Sequence, residues 1–324
     1  MPEIVFLFGG QGSQFRRMGE DLLGDDTFRW WMEHGDGIVR EATGRSMLDD
    51  LYGPGRRISD SFDDLERTHP AIFAYEYAAA RLLIDAGIRP TTVLGVSLGE
   101  AVGCAVAGVV PFESALRSLL RQARAFASGC RAGGMIAILD DPRTYSRTEV
   151  LSSRSEMAGV LGPSHFVVAA PDPELSEVEA HLRAAGVLYS VLPLRQPFHS
   201  RWVDPPPSDA VSAFDGLAFA APQLRIISAR TAAEVPQPTP EHLLRAAIEP
   251  MNFRSAVLSL EKDGPRVYVD LTPGGTLANL VNANLAGSSS RVYAVSSPFG
   301  REKQAVSRII ADLANDSGYA YGRR

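Results

Sequence analysis

Twenty residues constrain the fold more than any others: Thr91–Val110, TTVLGVSLGEAVGCAVAGVV. The first six are an apolar run of strand length. From Leu98 to Val110 the chain is mostly small residues in a helical pattern. Between the two stands Gly95-Val96-Ser97-Leu98-Gly99. A strand passing at once into a helix of Gly, Ala, Val and Cys suits close packing of that helix on a sheet, as in α/β proteins. At such a turn a Gly-x-Ser-x-Gly serine is strained and its hydroxyl projects. The helix N-terminus beneath it favours developing negative charge. The same five residues also suit an ordinary serine in a glycine-rich turn, and the local pattern leaves both readings open.

The flanking chain carries the same alternation. Ile4–Phe8 reads as a buried strand ending in Gly9-Gly10. Pro70–Gly87 reads as a helix with proline near its start and glycine after its end. Pro111–Gly129 reads as another, with Leu116, Leu119, Leu120, Ala123 and Ala127 at helical spacing. After Gly133-Gly134 the pattern changes to strand (Met135–Leu139), strand (His165–Ala170), helix (Pro173–Gly186) and strand (Leu188–Leu194). The polar stretch Asp140–Met157 can add a helix. This is a small α+β unit inserted into a larger one. Leu224–Ala229, Val267–Leu271 and Arg291–Ser296 return to strands, while VDPPPSDAV and EVPQPTPEH read as loops.

With 324 residues, 45% hydrophobic and 22% charged, the chain suits one large domain or a large domain with a small companion. A formal charge of −6 argues against a nucleic-acid partner. The opening MPEIVFLFGG lacks a basic region before its apolar run, so it reads as a core strand and not a signal peptide. No stretch approaches the roughly 18 apolar residues of a membrane span. Cys104 and Cys130 form no metal or disulfide pattern, which points to a reducing, cytoplasmic setting. Nothing in the sequence implies a metal or a cofactor.

A serine nucleophile needs a base. Of six histidines, His181 falls on a charged helix and His242 in a Pro/Glu-rich loop, both read as surface. His199, in LRQPFHS, lies just beyond the last strand of the inserted unit, in a loop that can return the chain to the main domain at a crevice. A loop histidine without a role is the competing reading. No aspartate or glutamate between Ser97 and His199 has a persuasive setting for the third member of a triad.

Several stretches together resemble malonyl-CoA:ACP transacylases and polyketide-synthase acyltransferase domains. These are FLFGGQGSQFRRMGEDLL, THPAIFAYEYAAARLLIDAGIRPTTVLGVSLGEAVGCAVAGVV, LRQPFHS, IEPMNFRSAV and VDLTPGGTLANLV. The resemblance spans nearly the whole chain. It implies an α/β fold: an α/β-hydrolase-like large subdomain (residues 1–130 and 196–324) with a ferredoxin-like small subdomain inserted (residues 131–195). It implies that Ser97 carries the acyl group as an ester and that His199 is the base. It implies an oxyanion hole from the backbone N–H groups of Gln11 and Leu98, and orientation of the histidine by an amide or main-chain oxygen, carried over to Asn252. The partner implied is an acyl carrier protein bearing a phosphopantetheine thioester, with acyl-CoA as an alternative donor.

Departures from the family pattern bear on substrate. Malonyl-type members carry an arginine that pairs with the free carboxylate, and the matching position here is Gln122. Gln122 shares a helix face with Ala115, Leu119 and Phe126, whereas Arg117, Arg121 and Arg124 share a face that reads as solvated. Val96 stands where the family has histidine before the serine, His69 stands in a Thr-His-Pro segment in place of Thr-Gln-Pro, and Phe198 precedes the histidine. Gln122, His69, Val96 and Phe198 are therefore the expected substrate-binding residues. The expected activity is S-acyl transfer of a non-carboxylated acyl group to or between carrier proteins in polyketide biosynthesis. Hydrolysis of acyl carriers by the same fold and conventional malonyl transfer are the alternatives.

Overall fold

A computed structural model describes residues 3–316, so the C-terminal Tyr-Gly-Arg-Arg lies outside the described residues. Among the described residues ten strands form two sheets. In chain order they are β1 (Ile4–Phe8), β2 (Thr92–Gly95), β3 (Gly133–Ile138), β4 (Glu156–Gly162), β5 (His165–Pro171), β6 (Tyr189–Val191), β7 (Arg225–Ser228), β8 (Ala233–Glu234), β9 (Val267–Asp270) and β10 (Arg291–Ala294). The larger sheet runs β10-β9-β1-β2-β7-β8, parallel throughout except for β8, which pairs antiparallel with β7. The smaller sheet runs β4-β5-β3-β6, all antiparallel. With the short helices Arg143–Arg147 and Glu149–Arg154 after β3 and the helix Asp172–Ala185 after β5, its chain order is the split βαβ of ferredoxin-like units. The two-part α/β architecture expected from the sequence is the one observed.

β1 and β2 are buried along nearly their whole length, as parallel strands covered on both faces must be. One face packs against the helices Asp26–Thr43, Leu65–Asp85 and Phe112–Gly129 through Phe6, Phe8, Phe73, Tyr75 and Leu116. The other face, with Val5, Leu7 and Leu94, joins a core shared with Met135, Val167, Phe198 and Met251, so the two sheets meet over one apolar layer.

Several elements differ from their sequence reading. The helix expected to start at Pro70 starts at Leu65, because Asp64 caps it by accepting the Glu66 N–H at 3.0 Å. Pro70 falls in its second turn. β4 was not expected. Its pairing with β5 is interrupted between Met157 and Gly159 and again between Val160 and Gly162, which blurs the two-residue alternation. The last strand of the small unit is only Tyr189–Val191; the Leu192 N–H still donates to the Met135 carbonyl of β3 at 2.9 Å, and Leu192 and Leu194 line the cleft. EVPQPTPEH is not all loop: Thr239 caps a helix Pro240–Ile248 by accepting the His242 N–H, with proline at the first helical position. Among the described residues no helix is long and apolar enough to cross a membrane, and no group of three or more His, Cys, Asp or Glu could hold a metal ion.

Candidate active site

Neighbouring parallel strands release their loops on the same side of the sheet, so the carboxyl ends of β1 and β2 define a crevice. Phe8 pairs with Gly95, and the Val96 N–H donates to the Phe8 carbonyl at 2.9 Å. The Gly9–Ser13 loop and the Val96–Leu98 turn therefore leave the sheet side by side. Ser97 has φ +56°, the left-handed region that a non-glycine residue avoids, and the elbow helix Gly99–Val106 follows at once. A methyl group on Gly99 would overlap the backbone of Phe8 and Gly9, so only glycine lets the elbow pass over β1. Gly10 meets the turn from the other side: a methyl there would lie 3.1 Å from Ser97 Cβ and 3.4 Å from the Leu98 nitrogen.

The loop of Gln11 and Gln14 is braced from the small subdomain side. The Gln11 and Gln14 amides both donate to the Pro193 carbonyl, at 3.0 and 3.1 Å, and the Gly12 N–H donates to Gln14 Oε1 at 2.7 Å. Gly9 N–H donates to Glu76 Oε1 at 3.0 Å; burial holds the Glu76 carboxyl well above its ordinary range. The backbone N–H groups of Gln11 and Leu98 take no hydrogen bond within the described residues and both residues line the cavity. Two such donors flanking a hydroxyl suit a developing oxyanion.

His199 arrives from the loop after β6, and its φ of +60° makes it a second left-handed non-glycine residue at the site. Its Nε2 lies 3.1 Å from Ser97 Oγ and its Nδ1 lies 2.7 Å from the main-chain carbonyl of Glu249. A carbonyl oxygen only accepts, so Nδ1 carries the proton and Nε2 presents a lone pair to the serine hydroxyl. Burial lowers the imidazole to about 4, against a smaller upward pull from the Glu249 carbonyl. A neutral ring at this distance can take the serine proton.

The orienting oxygen is therefore not from Asn252. Asn252 donates its amide to the Arg230 carbonyl at 3.1 Å, and its N–H to Ala229 O. Residues 249–252 are brought in by backbone bonds between Met251 and β4, Met251 N–H to Ala158 O at 2.9 Å and Val160 N–H to Met251 O at 3.0 Å. The sequence reading missed Glu249 because it acts through its main chain, which any residue supplies. It also misplaced His242, which is buried with its Nε2 2.7 Å from a carboxylate oxygen of buried Glu100, though off hydrogen-bond alignment. Glu100, on the elbow helix, accepts from Ser228 Oγ at 2.7 Å, tying the elbow to β7.

Ser97 and His199 open into a cavity of about 310 Å³ shared by both subdomains. Gln11, Leu98, His69, Val96, Gln122 and Phe198 all line it, and Asn252 does not. The Phe198 ring stands edge-on to Phe126 at 5.1 Å and 6.5 Å from the His69 ring. Gln122 points inward. Arg117 pairs with Glu41, Arg121 donates to the Ala213 carbonyl, and Arg124 is exposed near Glu66. No lysine or arginine lines the cavity among the described residues.

A family model described as "Acyl transferase domain" matches residues 5–316. The chain belongs to this family of acyltransferases. This acyltransferase is 36% identical over 301 residues to "Polyketide biosynthesis acyltransferase homolog PksD" of Bacillus subtilis (strain 168), covering 92% of this chain and 93% of that one. Its fold matches a loading acyltransferase from the avermectin modular polyketide synthase, with TM-score 0.84 and 22% identity over 96% of this chain and 99% of the other. It also matches the malonyl-transacylase solved in complex with a type II polyketide synthase acyl-carrier protein (PlMCAT:AntF), with TM-score 0.81 and 21% identity over 96% and 99% of the two chains.

Proposed function

We propose that this acyltransferase moves a non-carboxylated acyl group to or between acyl carrier proteins in polyketide biosynthesis, through an ester on Ser97. The observation that carries the reading is the 3.1 Å contact between Ser97 Oγ and a neutral His199 Nε2. His199 takes the proton of Ser97 as Oγ bonds to the thioester carbonyl carbon, and the negative oxygen is met by the N–H groups of Gln11 and Leu98. The C–S bond breaks and the departing sulfur takes the proton from His199. A second thiol gives its proton to His199 as its sulfur attacks the ester carbon, and Oγ leaves with that proton. Glu249 stabilises the transient imidazolium through its carbonyl.

The acyl class follows from charge. Burying a free carboxylate in a cavity without a cation is costly, and Gln122 stands where an arginine would offset that cost. This disfavours conventional malonyl transfer. The carrier as partner is supported by family membership and by the carrier complex of the PlMCAT relative. A pantetheine-bound acyl-CoA offers the same thioester.

Hydrolysis of the same ester is the second reading. Gln11 Oε1 is buried without a hydrogen-bond partner beside the cavity and can accept from an attacking water. One experiment separates the two: incubation with an acylated carrier and an empty second carrier, followed by intact-mass analysis. Acyl on the second carrier supports transfer. Free acid alone supports hydrolysis and rejects transfer.

A further inference from the structure

Two buried polar side chains that line the cavity each leave one nitrogen without a partner. Gln122 is 3% exposed and its Nε2 has no hydrogen-bond partner; His69 is 6% exposed and its Nδ1 has none. Both line the cavity that holds Ser97. Interiors satisfy the large majority of such groups, so these two atoms, with Gln11 Oε1 and Thr272 Oγ1 also unpartnered on the same cavity, point to a group that enters with the ligand. Leu119, Phe214, Leu243 and Phe198 line the same cavity, are apolar and supply no alternative partner.

We infer that His69 and Gln122 form a subsite for a neutral oxygen, hydroxyl or keto, carried on the acyl chain beyond the thioester carbonyl. The inference rests on the Ser97 ester reading and names the substrate class within it. The Gln122 amide nitrogen only donates, so the ligand atom must accept. A keto oxygen accepts from both residues; a hydroxyl accepts from Gln122 and either donates to or accepts from the imidazole according to its tautomer. A carboxylate would also accept, but neither partner brings charge: burial alone lowers His69 to about 4, leaving it neutral. The Phe198 ring centroid lies 6.5 Å from the His69 ring and 6.4 Å from the His199 ring, and the oxyanion is assigned to the Gln11 and Leu98 N–H groups, so the oxygen that His69 and Gln122 read is one beyond the reacting carbonyl.

A matched set of pantetheine thioesters tests this without carrier docking: butyryl, 3-hydroxybutyryl and 3-oxobutyryl. The readout is kcat/KM for acylation of Ser97, from thiol release and intact mass. A site built to pair with an oxygen discriminates against the analogue lacking it. The wild-type protein should prefer at least one oxygenated chain over butyryl by about tenfold or more, and Gln122→Leu and His69→Phe should each bring that ratio to near one. A wild-type ratio near or below one overturns the inference while leaving the Ser97 ester intact, and this arm decides even where a variant fails to fold. A preference that survives both substitutions also overturns it, because another group then reads the oxygen. No adduct from any of the three thioesters removes the ester itself and the inference with it.

Discussion

Ser97 and His199 are both non-glycine residues held at positive φ, +56° and +60°. Each costs on the order of 1–3 kcal/mol and persists only where the surroundings overdetermine it. At Ser97 the surroundings are the strand-to-helix elbow; at His199 they are the Glu249 carbonyl and the Phe198 packing. The imidazole's displacement from its ordinary 6.5 to about 4 has a kinetic consequence. In the folded protein the imidazole stays unprotonated through pH 6.5, so with His199 as the proposed base the acid limb of kcat/KM for acylation should fall near pH 4 to 5. A limb near 6.5 in a stopped-flow pH series would mean that His199 is solvated or is not the base. Stability moves the same way for both buried imidazoles. The unfolded chain binds their protons below about 6.5 and the folded chain not until about 4, so they withdraw stability as pH falls through that window. Gln122 offers the second test at this scale. Gln122→Arg should raise kcat/KM for a malonyl thioester relative to a neutral one by about tenfold or more, the worth of one charge-assisted hydrogen bond of about 1.5 kcal/mol; no change, or the reverse, would remove Gln122 from the acyl pocket.

At the scale of elements, the elbow depends on where backbone crosses backbone. Gly99→Ala puts a methyl into the carbonyls of Phe8 and Gly9, and β1 cannot retreat without breaking its pairing with β2 and β9. A loss of about 3 kcal/mol is expected from urea unfolding. Gly37→Ala is the control: it lies exposed in the helix Asp26–Thr43 with nothing within 4 Å of the added methyl, and should be neutral or gain up to about 1 kcal/mol. Equal losses at both would contradict the close crossing. The elbow was legible in the sequence because its requirement is steric and local: Gly95, Ser97, Gly99 and the small-residue helix state it outright. β4 was not, because its two irregularities and Gly159 break the alternation on which strand recognition rests. The helix Pro240–Ile248 was hidden among prolines, although Thr239-Pro240 is itself a helix-start signal. With that helix went the burial of His242 and the route by which Glu249 reaches His199. A main-chain acceptor has no residue signature, so Asn252 was the wrong guess for a role that only tertiary structure assigns.

Over the whole molecule, catalysis is proposed where two sheets of different construction face each other. The parallel sheet contributes Ser97 and the Gly9–Ser13 loop from the ends of β2 and β1, and the inserted antiparallel sheet returns the chain at His199. The cleft between them needs no cation to hold a neutral acyl chain. An acidic carrier would favour a locally basic surface, and three arginines are already engaged within the fold. Arg16 is buried against the Asp50 carbonyl, Arg201 pairs with Glu156, and Arg230 pairs with Glu249. The proposed activity centres on the Ser97 hydroxyl taking an acyl group, and this is measured directly by intact-protein mass after brief mixing with an acylated carrier protein. The account predicts one acyl increment on the wild-type chain, mapped to Ser97 by peptide digestion and absent from Ser97→Ala. An increment of the same size on Ser97→Ala, or none on a wild-type protein that nonetheless turns over the thioester, would contradict it.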